Sequence, residues 1–158
     1  MDDSLDIGIY KDDSLTRATV SKFGWGANVP EEAVYPVSKA GPDGAAYSGQ
    51  NAYVMHFEAG ALPPVDATHG FWSLTLYGPD MFFVENPIKR YAIGDRTQGL
   101  TPNPDGSLDL FIQNAEPAAV GNWLPSPTSE FVLILRLYLP QKSVLDGTYT
   151  YPPVVAQP

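Results

Sequence analysis

A chain of 158 residues with 18 acidic and 9 basic side chains carries a formal net charge of -9, a field that repels phosphate backbones and anionic lipid and makes nucleic acid and acidic membranes poor partners. It has no cysteine, which excludes disulfides, thiolate nucleophiles, iron–sulfur clusters and thiolate zinc sites. No stretch approaches the roughly 20 apolar residues of a bilayer span, and the acidic start Met1-Asp2-Asp3-Ser4-Leu5-Asp6 is no secretory signal, so a soluble, cytoplasmic protein is the expectation.

Fourteen glycines and sixteen prolines fall between apolar runs as turn punctuation and do not gather into a linker. One domain over residues 1–158 is expected, with about the first twelve residues flexible. A short helix is predicted from Asp13 to Phe23, with Asp12 or Asp13 capping its free amides and Gly24 stopping it. Val34-Tyr35-Pro36-Val37 reads as an edge segment, because Pro36 cannot donate to a central ladder.

Tyr53 to Phe57 alternates, with Tyr53, Met55 and Phe57 inward. Phe71 to Tyr77 is the organising strand, with Trp72, Leu74 and Leu76 facing a core. Its other face, Phe71, Ser73, Thr75 and Tyr77, is amphiphilic and suited to lining a shallow pocket or meeting a second layer. Met81 to Val84 is close enough to hairpin with it, and Tyr91-Ala92-Ile93 is a further extended piece. Asp105-Gly106 is a hairpin-turn signal ahead of Leu108 to Ile112. Phe131 to Leu139 alternates with apolar residues on both faces and is expected to be a central strand, with Val132, Ile134, Arg136 and Tyr138 together on one side. Some seven to nine short strands and little helix call for two antiparallel sheets face to face, or a barrel.

Five stretches, taken in order and spacing, carry a likeness: Phe71 to Tyr77, Arg90 to Asp95, Asn103 to Leu108, Asn122 to Pro127, and Leu135-Arg136-Leu137-Tyr138 with Pro140. Arg17-Ala18, Gly26-Ala27-Asn28, Glu32 to Pro36 and Gly49 to Phe57 extend it upstream, and Asp146-Gly147 with Pro152-Pro153 downstream. The chain resembles the family catalogued as domain of unknown function 1214. The resemblance implies an antiparallel β-sandwich of jelly-roll type, here with one short N-terminal helix, often placed behind a second β-sandwich domain (of unknown function 1254). Bacterial relatives are often exported, so it leaves a periplasmic or secreted location open. It carries over no catalytic residues.

Site arguments therefore rest on the chain's own chemistry. His56 and His69 are the two histidines; with a carboxylate such as Glu58 or Asp66 they could make only a weak metal site, surface histidines being the plainer reading, and no cofactor is expected. Asp80, Asp95 and Asp109 near strand ends, with Tyr77, are the candidates for acid–base chemistry, capping and solubility being the plainer reading of such acids. Trp123, after Asn122 in a proline-framed loop, either displays its indole to a sugar ring or closes the core. Trp72, Arg90, Tyr91 and Arg136 complete the candidate ligand-binding set. Arg136 lies in the most apolar strand and is expected to be a buried cation paired with Asp80, Asp95 or Asp109, since a lone buried charge costs several kcal/mol.

The functional expectation is a non-catalytic binding or scaffold domain for a small neutral, polyol or carbohydrate ligand. The alternatives are a cofactor-independent enzyme acting on a small metabolite or glycoside through acids and tyrosines, and a module that docks on a partner β-sandwich domain or a second copy.

Overall fold

The computed structural model describes residues 10–23 and 28–158. Its elements are α1 (Ser14–Phe23), β1 (Ala33–Val34), β2 (Val37–Ser38), β3 (Tyr53–Phe57), β4 (Phe71–Tyr77), β5 (Ala92–Gly94), β6 (Leu108–Gln113), β7 (Trp123–Pro125), β8 (Val132–Tyr138), α2 (Lys142–Leu145) and β9 (Val154–Ala156), with a 3-10 turn at Val120–Asn122. Asp13 caps α1 as expected, accepting from the Thr16 amide at 2.9 Å and the Thr16 hydroxyl at 2.6 Å; Gly24 lies outside the described residues. No helix of the described residues is long and apolar enough to cross a membrane.

Two sheets form a β-sandwich. One runs β1-β8-β4-β5, with β2 also on β8; the other runs β7-β6-β3-β9. The cause is the period-two pattern of the long strands. Trp72, Leu74 and Leu76 of β4 stand opposite Leu137, Leu135 and Leu133 of β8 in antiparallel register. Tyr53, Met55 and Phe57 of β3 stand opposite Ile112, Leu110 and Leu108 of β6. All twelve are buried in one cluster, and each such side chain contributes about 1.5–3 kcal/mol.

The winding departs from expectation in places. β6 and β7 pair in parallel, so the second sheet is not wholly antiparallel; the strand orders describe a two-sheet sandwich. Met81 to Val84 makes no strand; β4 is flanked by β5, with Ser73 opposite Gly94. The Asp105-Gly106 turn forms, with Gly106 at φ 86°, but β6 pairs with the distant β3 and not with its predecessor in the chain. β8 stops at Tyr138 because Leu139 takes a left-handed φ of 52°. The four-residue α2 is too short to leave a readable periodicity and was not expected. β8 is central as predicted, with β4 on one side and the β1 and β2 pieces on the other, broken at Tyr35-Pro36 where the proline has no amide to give.

Candidate functional site

The same alternation that fills the core turns Phe71, Ser73, Thr75 and Tyr77 outward on β4, opposite Tyr138, Arg136, Ile134 and Val132 of β8. Aromatic rings gather at both ends of this outer face. At one end Phe71 and Tyr138 stack with centroids 4.3 Å apart, and Tyr35 meets Tyr138 edge-on at 6.1 Å. The Arg96 guanidinium lies over the free side of Phe71, 4.2 Å from its centroid, held by the carbonyls of His69 and Gly70. At the other end Phe83 stacks between Tyr77 at 5.2 Å and Tyr91 at 5.0 Å.

Arg136 occupies the ground between. Starting opposite Ser73, it donates from Nη2 to the Tyr77 hydroxyl at 2.6 Å, with its Cζ 5.4 Å from that ring's centroid. The expected pairing with an acid is thereby corrected: among the described residues no carboxylate forms an ion pair with it. The reason is position, since Arg136 lies on the outer face, half-buried under rings, and not between the sheets. Its Nη1 is buried and has no acceptor among the described residues. Asp80 instead accepts the Phe82 amide in a turn. Asp95 follows β5 at the opposite end of β4, where burial raises its carboxyl above the ordinary value. Asp109 belongs to the other sheet. The three acids are not brought together.

The segment after β4 is built to hold apolar groups in water. Gly78 donates to the Phe82 carbonyl and Met81 to the Gly78 carbonyl, each at 2.9 Å. Met81 adopts φ 65°, a conformation that costs a non-glycine residue about 1–2 kcal/mol. The turn leaves Phe82 73% and Phe83 56% exposed.

A second cluster lies on the outer face of the other sheet. His56 and Asp109 are cross-strand partners, and His56 Nδ1 is 2.6 Å from an Asp109 oxygen. The other Asp109 oxygen accepts from Asn103 Nδ2 at 2.9 Å. Beside them runs a groove of about 420 Å³ with Val54, Pro152, Pro153 and Val155 as apolar walls and His56 and Glu58 as polar members. The hydrogen bond to Asp109 raises the His56 pKa, desolvation opposes it, and the nearby Asp109 and Glu58 charges add smaller upward contributions. A raised folded-state value means this pair's stabilisation is complete below the unfolded value of about 6.5 and is lost as pH rises through the folded value. In an NMR titration His56 should show a midpoint above about 6.5, and Asp109→Asn should bring it down; equal midpoints in both proteins would refute the coupling.

The remaining predicted residues are dispersed. Trp123 is only 1% exposed and donates from Nε1 to the Gln113 carbonyl at 2.8 Å, so it has no face to offer a sugar and serves the core. Asn122 is buried too, joining the Thr101 backbone to the Asp109 carbonyl. Trp72 packs inside against Phe57. Arg90 uses Nη1 to gather the carbonyls of Val120, Gly121 and Trp123, which makes it a staple for the β7 approach. Tyr91 and Tyr77 do reach the outer face with Arg136. His69 stands beside Asp66, 3.5 Å away, and among the described residues no three or more histidine or acidic groups could hold a metal. Trp25 lies outside the described residues. Tyr35, Phe82, Phe83 and Tyr138 are the site members that sequence reasoning missed; the available signal was Phe82-Phe83 directly after a Gly-Pro-Asp turn.

The fold has a solved counterpart in the VPA0106 protein of Vibrio parahaemolyticus, with a TM-score of 0.74 and 29% identity over 90% of this chain. The chain spans 35% of that protein's length. An uncharacterized protein of Burkholderia cenocepacia aligns with 84% of this chain and 31% of its own, at 16% identity and a TM-score of 0.46, too slight a likeness to carry an argument. No curated protein matches the sequence. Residues 32–142 match the family described as Protein of unknown function (DUF1214), and the chain belongs to that family.

Proposed function

We propose that this domain is a non-catalytic binding module that holds a polyol or sugar-like ligand on the outer face of its five-stranded sheet. The observation that carries this reading is the turn at residues 78–82, which spends an unfavourable Met81 conformation on displaying Phe82 and Phe83. Rings in water forgo burial worth about 1.5–3 kcal/mol apiece, and they stand beside the donors and acceptors of Tyr77, Ser73 and Arg136 on the same face. Apolar ring surface with a few directional polar groups suits a sugar, which has apolar patches and a belt of hydroxyls.

Calorimetric titration with a panel of monosaccharides and linear polyols tests it. At least one should bind, and Phe82→Ala should weaken binding about tenfold while leaving the melting temperature unchanged, because the ring is mostly exposed. Absence of binding across the panel would overturn the reading. So would light scattering that finds a dimer which Phe82→Ala dissociates, since the turn would then be covered by a second copy.

The groove beside His56 and Asp109 favours a second reading, a cofactor-independent acid–base catalyst acting on a small metabolite. A carboxylate-oriented imidazole at a groove wall is arranged for proton transfer. That reading requires turnover of a panel compound that His56→Gln abolishes, and binding without turnover would count against it.

A further inference from the structure

We infer that the ligand of the outer face carries a carboxylate, which pairs with Arg136: an acidic sugar or hydroxy acid and not a neutral one. This rests on the binding reading above and names the ligand's charge.

A guanidinium stays protonated at any pH the fold experiences, so Arg136 keeps its charge wherever it is placed. Eighteen acidic residues against nine basic ones make a carboxylate partner easy to supply, yet among the described residues none pairs with it. The one hydrogen bond it makes among the described residues, from Nη2 to the Tyr77 hydroxyl, orients the head group without neutralising it. The buried Nη1 is left without an acceptor among the described residues, and a buried donor of this kind asks for a group the chain has not provided.

The surroundings fit a carboxylate. The planar fork of arginine matches the two oxygens of a carboxylate better than it matches a single hydroxyl. Tyr77 already holds one prong, which lowers the ordering cost of the pair. Tyr138, two positions after Arg136 on β8, stacks on Phe71 and meets Tyr35 edge-on, and Ser73 stands across from Arg136, so phenol and alcohol groups neighbour the guanidinium. Tyr35 already accepts from Asn28 at 2.9 Å. The stacked rings at both ends supply apolar surface for the rest of the ligand.

The test uses a matched pair, D-glucose and D-glucuronate, which share a ring and differ by the carboxylate. Titration calorimetry on the whole chain should give glucuronate about tenfold or more tighter binding than glucose, in line with a hydrogen-bonded charge pair. Arg136→Met should remove that preference. Arg136→Lys, which keeps the charge and loses the fork, should fall between. Should Arg136→Met fail to fold, the Arg136 Nε–H resonance of the unaltered protein serves instead, shifting with glucuronate and not with glucose. Equal affinity for the two probes, or a glucuronate preference that survives Arg136→Met, would overturn the inference while the binding reading stands. Binding of neither probe and of no panel sugar would overturn both.

Discussion

Trp123→Ala is expected to lower the unfolding free energy by about 3–5 kcal/mol, the range for an aromatic ring removed from a closed interior. The ring is buried, and its strand pairs with β6 with Trp123 opposite Phe111. The cavity dominates the loss. The Gln113 carbonyl that accepts the indole also receives the Ser126 amide at 3.0 Å, so it is not orphaned when the indole goes. Trp123→Phe should therefore recover most of the stability without restoring the hydrogen bond. Urea unfolding followed by tyrosine fluorescence measures both variants. A cost below about 1 kcal/mol would mean that the loop, and not the core, owns this side chain.

Gly94→Ala should cost about 3 kcal/mol or more, beyond the usual range for an added methyl group in a packed site. A Cβ at this position would lie 2.1 Å from the Trp72 carbonyl oxygen and 2.9 Å from the Ser73 Cα. Both are backbone atoms of β4, so no flexible side chain can yield; β5 must lift away instead. Because Tyr91 immediately precedes β5 and stacks on Phe83, the same change should also weaken ligand binding. Gly44→Ala is the control: its Cβ would meet nothing within 4 Å, although φ is 79°, so it should lose stability without touching binding. Denaturation and titration on both variants separate the two effects, and equal losses of binding would refute the β5 argument.

Much of this architecture could be read from alternation. The inward residues of β3 and β4 were legible because each strand is long enough for a period of two to emerge, and the capped start of α1 because Asp13 has a local partner. Pairing was less legible. Nothing local in Trp123-Leu124-Pro125 announces a parallel partner, and a ladder between β3 and β6 depends on the whole core. The site divides the same way. The amphiphilic face of β4 followed from spacing, whereas Arg136 was expected inside and lies on the outer face. The lack of an acid beside Arg136 did not follow from spacing, because acids near in sequence to β4 and β5 were consumed by turns or turned to the far end. Of the two readings open for Trp123, core closure is the one the fold takes, because Arg90 and Gln113 draw that loop inward.

The central place of β8 has a kinetic consequence. Its partner β4 lies about sixty positions earlier in the chain, with 59 separating Tyr77 from Arg136, so the contact between them closes a long loop before any local hairpin can hold it. Sheet proteins dominated by such pairings refold in milliseconds to seconds, and the guanidinium meets its phenol only when that slow step is done. A chain emerging from synthesis cannot assemble this surface until β8 has appeared. With ladder partners on both flanks, β8 should also be among the last strands to exchange its amide hydrogens, which keeps the arginine's footing fixed.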